Sequence, residues 1–241
     1  MEKKINLSKV SISKVGTTIF AISLCVASHA QQVVNAAYMN DISGSARTEL
    51  FEPKKTFKKV INMLDLTDSK DGVNLYTSVI GEPSIVKVNV ATLPETEGSS
   101  ILERNRNISL FLQKGMADFD ELAQPTDDQR TEIFRSLISI TDHFQPGADR
   151  TLLIIESDFV ESGYVAEFFD YANTPSALID DFNKIIAAFK ADNGALPDLS
   201  GAEVILVVTR GDDELAVFSA RWWKRAMLHF GAKEVTVRAT L

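Results

Sequence analysis

Val33-Val34-Asn35-Ala36-Ala37-Tyr38-Met39-Asn40-Asp41-Ile42-Ser43-Gly44-Ser45 joins two patterns. From Val33 to Met39 the chain is apolar apart from Asn35, without the alternation of a half-exposed strand. Such a run marks a strand covered on both faces, as in a parallel sheet with helices on either side. It ends at Asp41, where a carboxylate and two hydroxyls stand at alternate positions. Gly44 lets the backbone fold tightly between the serines, so both hydroxyls can turn toward the space in front of Asp41. Three hard oxygen donors converging on one point suit a small divalent cation. D-x-S-x-S recurs by chance in ordinary chains, so its weight comes from the strand end and from two distant partners.

Working outward, Phe57, Val60, Ile61 and Leu64 fall at helical spacing over Phe57 to Leu66, with Pro53 suited to the first turn. Val73 to Ile80 and Ile85 to Leu93 are rich in β-branched residues and flank the turn Gly81-Glu82-Pro83-Ser84, which predicts an antiparallel hairpin whose second strand is a sheet edge. After a polar loop from Pro94 through Ser100, Ile101 to Leu122 reads as a helix interrupted near Gly115. Thr131 stands at the head of a helix carrying Ile133, Phe134, Leu137, Ile138 and Ile140. Thr151 to Ile155 is a short buried strand ending in Glu156-Ser157-Asp158, and Leu178 to Phe189 is an amphipathic helix closed by Asn193-Gly194. Val204 to Val208 is a strand, Leu215 to Phe230 a helix with Gly231 as its cap, and Val235 to Leu241 a last strand. Strands alternating with helices predict an α/β doubly wound, mostly parallel six-stranded sheet with one antiparallel edge strand and helices on both faces.

The first thirty residues stand apart. Lys3, Lys4, Lys9 and Lys14 form a basic leader, Val15 to Ala27 is an uncharged, largely apolar run, and Ser28-His29-Ala30 offers small residues at a peptidase site. Residues 1–30 therefore read as a signal peptide cleaved after Ala30, and 31–241 as one domain. The expected location is secreted or periplasmic. The apolar run is too short for a stable membrane span. A lipoprotein anchored through Cys25 is the rival, opposed by bulky Leu24 before it. Cys25 is the only cysteine, so the mature chain would hold no thiol, as suits an oxidising compartment. Removing four Lys and one Glu from 25 basic and 33 acidic residues leaves 21 and 32, a net of −11 against −8 for the whole chain. That surface disfavours nucleic acid and anionic lipid and favours cations.

Ligands of an open parallel sheet bind outside the carboxyl ends of its strands. Asp41, Ser43 and Ser45 follow the first strand, Asp158 follows Thr151 to Ile155, and Thr131 lies in a loop returning to the same edge. Two carboxylates and three hydroxyls, with water, make an octahedral site for magnesium, with manganese or calcium as alternatives. Each residue also has a plainer reading. Asp41 and Asp158 can be turn residues, and Thr131 a helix cap. Of the adjacent Trp222 and Trp223, one reads as core and the other as partner surface. Glu156 and Glu161 read as solvated acids, and His143 and His229 as structural residues. No G-x-S-x-G elbow, G-x-G-x-x-G turn or P-loop occurs in the mature chain. The chain is therefore not expected to be an enzyme, and a metal-dependent phosphoesterase using Asp41 and Asp158 is the best catalytic alternative.

These residues resemble the von Willebrand factor type A (vWA) domains with their metal-ion-dependent adhesion site. Asp41-x-Ser43-x-Ser45 matches the first motif of that family, Thr131 the threonine of its second loop, and Asp158 after an apolar strand its third. The resemblance covers essentially all of Gln31 to Leu241. Two features depart from it. Gln129-Arg130 precede Thr131 where the family often has glycine, so Thr126 rivals Thr131, and Pro94 to Gln124 is long. The resemblance implies a binding module whose metal captures a carboxylate supplied by a protein partner. The alternative within this fold is a metal-free interaction scaffold.

Overall fold

A strand covered on both faces needs a neighbour on each side and a helical layer above and below. In the computed structural model, which describes residues 32–46, 53–64, 66, 71–81, 86–96, 100–122 and 130–241, the first strand has all four. The strands are β1 (Val33–Asp41), β2 (Gly72–Ile80), β3 (Val88–Leu93), β4 (Arg150–Ser157), β5 (Glu203–Val208) and β6 (Glu234–Arg238), in the order β3-β2-β1-β4-β5-β6. Only the β2–β3 pair is antiparallel, and β3 forms one edge. The helices are α1 (Pro53–Asn62), α2 (Ile101–Leu122), α3 (Ile133–Thr141), α4 (Ala177–Asp180), α5 (Phe182–Asn193) and α6 (Glu214–His229). None is long and apolar enough to cross a membrane. The expected leader and Thr126 lie outside the described residues.

Side-chain alternation along β1 feeds two cores. Ala36 and Tyr38 pack with Phe57 and Val60 of α1 and Phe111 and Phe119 of α2. Ala37 and Met39 face the opposite layer with α3, α5 and α6. Asn35, the one polar residue of the run, is satisfied inside: its amide donates to the Gln145 carbonyl (3.0 Å) and its oxygen accepts from Tyr76 Oη (3.3 Å).

Several sequence expectations need correction. α1 begins at Pro53 and ends at Asn62, earlier than Leu66, and β3 begins at Val88 rather than Ile85. α2 runs through Gly115 without a break. A Cβ there would stand 3.1 Å from Leu75 Cδ2 and 3.6 Å from Phe57 Cζ, so glycine is what lets this helix approach the sheet. The expected helix Leu178 to Phe189 is two, α4 and α5, meeting at Asp181. The Asp181 carboxylate accepts from Tyr171 Oη (2.7 Å) and Lys184 Nζ (3.3 Å), which holds the bend.

Trp222 and Trp223 are both fully buried, so neither offers partner surface. Phe168 lies 5.2 Å and 6.5 Å from their respective rings and Phe189 6.2 Å and 6.4 Å, an aromatic cluster broad enough to cover both sides of α6. Gly194 (φ 74°) closes α5 in the left-handed conformation. Replacing Gly115 by Leu is expected to lower stability by about 1–3 kcal/mol through overpacking against Leu75 and Phe57. Urea unfolding reads this as a lower midpoint, and an unchanged midpoint contradicts the tight contact.

Candidate metal centre

The chain leaves β1 toward β2 on one side and returns from β3 to β4 on the other, so the strand order reverses between β1 and β4. The crevice at such a reversal, outside the carboxyl ends, is where doubly wound sheets accept ligands. Parallel register pairs Asn40 with Glu156. Asp41, one residue beyond, therefore reaches the edge beside Ser157 and Asp158.

Asp41 is fully buried. Its Oδ1 accepts the Ser43 N–H (2.9 Å) and its Oδ2 accepts the Ser157 hydroxyl. Ser43 and Ser45 hydroxyls lie 3.2 Å apart, and the Ser45 hydroxyl bonds Asp158. Asp158, also fully buried, accepts the Val160 N–H on Oδ1 (3.0 Å). Its Oδ2 is buried with no hydrogen-bond partner. Phe159 follows in the left-handed region (φ 64°), a conformation that costs a non-glycine residue of order 1 kcal/mol or more. The strain is held by the burial of its ring and by its N–H bond to Ser157 Oγ (2.8 Å).

Thr131 joins through its backbone. Its N–H donates to Ser162 O (3.2 Å) and its carbonyl accepts from Ser162 N (3.0 Å), which fastens the segment before α3 onto the loop carrying Asp158. The residue at the head of α3 is Glu132, whose side chain does not cap the helix. Glu161 does so instead: its carboxylate accepts the Ile133 N–H (2.8 Å) and the Phe134 N–H.

Neither Glu161 nor Glu156 is a solvated acid. Both are buried. Glu156 lies on the α1 face of β4, where it accepts from Tyr38 Oη, Thr56 Oγ1 (2.9 Å) and Asn40 Nδ2 (3.4 Å). Strand alternation at a doubly covered strand end explains its burial, and the helix N-terminus explains that of Glu161. Ser157 is the site residue that sequence reasoning did not assign, although it adjoins Asp158 and a hydroxyl there can bridge to the next strand. His143 and His229 are exposed and stand outside this network.

The electrostatics are those of charge held away from water. Burial, and then the charge of Asp158, push the Asp41 carboxyl up to about 7 from 3.8. Burial raises Asp158 also, offset in part by the Val160 N–H, the Ser45 hydroxyl and Arg210. Glu161 is raised well above its ordinary value, again chiefly by burial. Among the described residues neither Asp41 nor Asp158 forms an ion pair. No group of three or more His, Cys, Asp or Glu gathers among them at metal-ligand spacing, so any ion here would rest on two carboxylates supplemented by hydroxyls. The donor set is all hard oxygen, and the unbonded Asp158 Oδ2 is an acceptor in want of a positive partner. These residues fit a magnesium-class ion.

No family model and no curated protein matches the sequence. Among solved structures the chain is similar to the conserved hypothetical protein BatB from Bacteroides thetaiotaomicron, at 15% identity over 72% of this chain and 66% of that one, with a TM-score of 0.34. The match therefore spans slightly under two thirds of that protein's length. A likeness this distant says nothing of activity.

The raised Asp41 carboxyl makes stability depend on pH. Between its ordinary value and about 7 the native Asp41 carboxyl holds a proton that the unfolded chain releases. The contribution of Asp41 to the stability of metal-free protein therefore falls as pH rises through that window, by an amount on the order of 2–4 kcal/mol, and is level above it. Urea midpoints from pH 4.5 to 8 in chelator are expected to show this decline relative to Asp41→Asn. Parallel curves for the two proteins contradict it.

Proposed function

We propose that this chain is an exported binding module of the vWA class that takes one divalent cation at the carboxyl edge of its sheet and captures an acidic group of a protein partner. Asp41, Ser43, Ser45, Thr131 and Asp158 would hold the ion, directly or through water, with magnesium the first choice. The observation that carries the reading is the pair of buried carboxylates from adjacent strand ends, one with an unbonded oxygen. Removing such groups from water costs several kcal/mol unless a proton or cation compensates. The sheet order, which puts its reversal at these two residues, supports it independently.

A bound ion ligated largely by neutral hydroxyls keeps most of its charge and attracts an anion from a partner. The chain's own residues do the rest. Ser157 and the Ser43 N–H orient Asp41. Ser45 spans from Ser43 to Asp158. The Thr131–Ser162 bridge and the Glu161 cap hold the two loops in one frame. No residue here is assigned a catalytic role.

Titration calorimetry with magnesium and manganese tests the reading. The wild type is expected to bind one ion per chain, and Asp41→Ala and Asp158→Ala to weaken binding by more than about tenfold. Absence of binding, with Asp41→Ala indistinguishable from wild type, favours a metal-free scaffold. Phosphoester hydrolysis abolished by the same substitution favours an enzyme.

A further inference from the structure

At the far edge of the sheet, between the end of β6 and the first half of α6, lies an open groove of about 360 Å³. Its volume falls in the range of about 300–1,000 Å³ typical of small-molecule sites. Its origin is a mismatch in side-chain size. Val235 and Val237 share one face of β6 by alternation. Val235 is buried against the α6 layer, whereas Val237 is 40% exposed, because Val217 and Ala220 of α6 are too short to close over it. Val208 completes an apolar floor.

Arg221 and Lys224 of α6 stand on the rim, both exposed. Neither forms an ion pair among the described residues, and the Arg221 guanidinium lies over the Phe218 ring at 5.1 Å. The whole chain carries a net charge of −8, so two unpaired cations beside one apolar gap reverse the character of the average surface. The floor offers no polar side chain, so a sugar, base or amide lodged there would surrender hydrogen bonds to water with nothing in return. What the groove complements is an alkyl chain that ends in an anion, with the chain on the valines and the head within reach of Arg221 and Lys224.

We propose that this groove binds a free single-chain anionic amphiphile of the fatty-acid class. The assignment is independent of the metal reading, since no groove residue named here belongs to the proposed ligand set.

Calorimetry on the purified protein with sodium decanoate, below its micelle concentration, tests it. Octanoate, butyrate and 1-decanol serve as comparisons. Saturable one-to-one binding of decanoate is expected, with affinity falling by up to about fourfold for each methylene removed. 1-Decanol is expected to bind at least about tenfold more weakly than decanoate, for want of the charge-assisted contacts. Two variants localise the site without touching the core. The double variant R221Q/K224Q is expected to weaken decanoate at least about tenfold while leaving 1-decanol unchanged. Val237→Trp, which fills the groove, is expected to abolish both, and unchanged melting temperatures confirm that each variant is folded.

The proposal is overturned by decanoate binding that does not saturate, by equal affinity for 1-decanol, or by binding that survives both variants. It is also overturned if the protein ignores free decanoate yet binds phosphatidylglycerol vesicles, which marks the patch as a membrane contact. Loss of metal binding in Asp41→Ala with decanoate binding intact shows the two sites to be separate.

Discussion

The structure turns on a carboxylate at the end of a strand that has no access to water. β1 is flanked by parallel strands on both sides and covered by helices on both faces, so its last residue, Asp41, emerges into the interior edge of the sheet. The strand order reverses at that point, and β4 delivers Asp158 beside it. Two buried acids side by side are an electrostatic load. Hydrogen bonds from Ser43 and Ser157 to Asp41, and from Val160 and Ser45 to Asp158, relieve part of it. The remainder calls for a proton or a cation, and the two compete for the same oxygens.

That competition sets the surroundings. Glu161 adds a third buried carboxylate near the same edge, and its compensation is the first turn of α3 rather than a counter-ion. Because Thr131 is bridged to Ser162, one residue beyond Glu161, the two loops are tied to each other. The strained backbone of Phe159 belongs to the same arrangement, since the chain must turn sharply after Asp158 while the phenyl ring stays in the core. The groove over Val237 arises by a separate route, from short side chains on α6 rather than from buried charge.

Much of the fold was legible in the sequence. Runs of β-branched residues marked the strands, and the long crossovers between them implied a parallel sheet whose carboxyl ends collect ligands. Asp41 and Asp158 could be placed at the carboxyl edge because they stand two and three residues beyond the apolar runs Val33 to Met39 and Thr151 to Ile155. Most of the misreadings share a cause, which is that the deciding partner lies far away in sequence. Gly115 looks like a helix breaker until Leu75 and Phe57 are placed against it. The bend at Asp181 is hidden because apolar spacing continues across it. Glu156 looks solvated until Tyr38 and Thr56 close on it, and one of the two tryptophans looks available until Phe168 and Phe189 enclose the pair.

The most direct test of the central claim is anomalous diffraction from crystals grown in manganese. The account expects one strong peak beside the carboxyl groups of Asp41 and Asp158, absent from Asp41→Ala crystals grown the same way. Manganese bound elsewhere, or a lysine or arginine side chain occupying the space between those carboxylates, would contradict it.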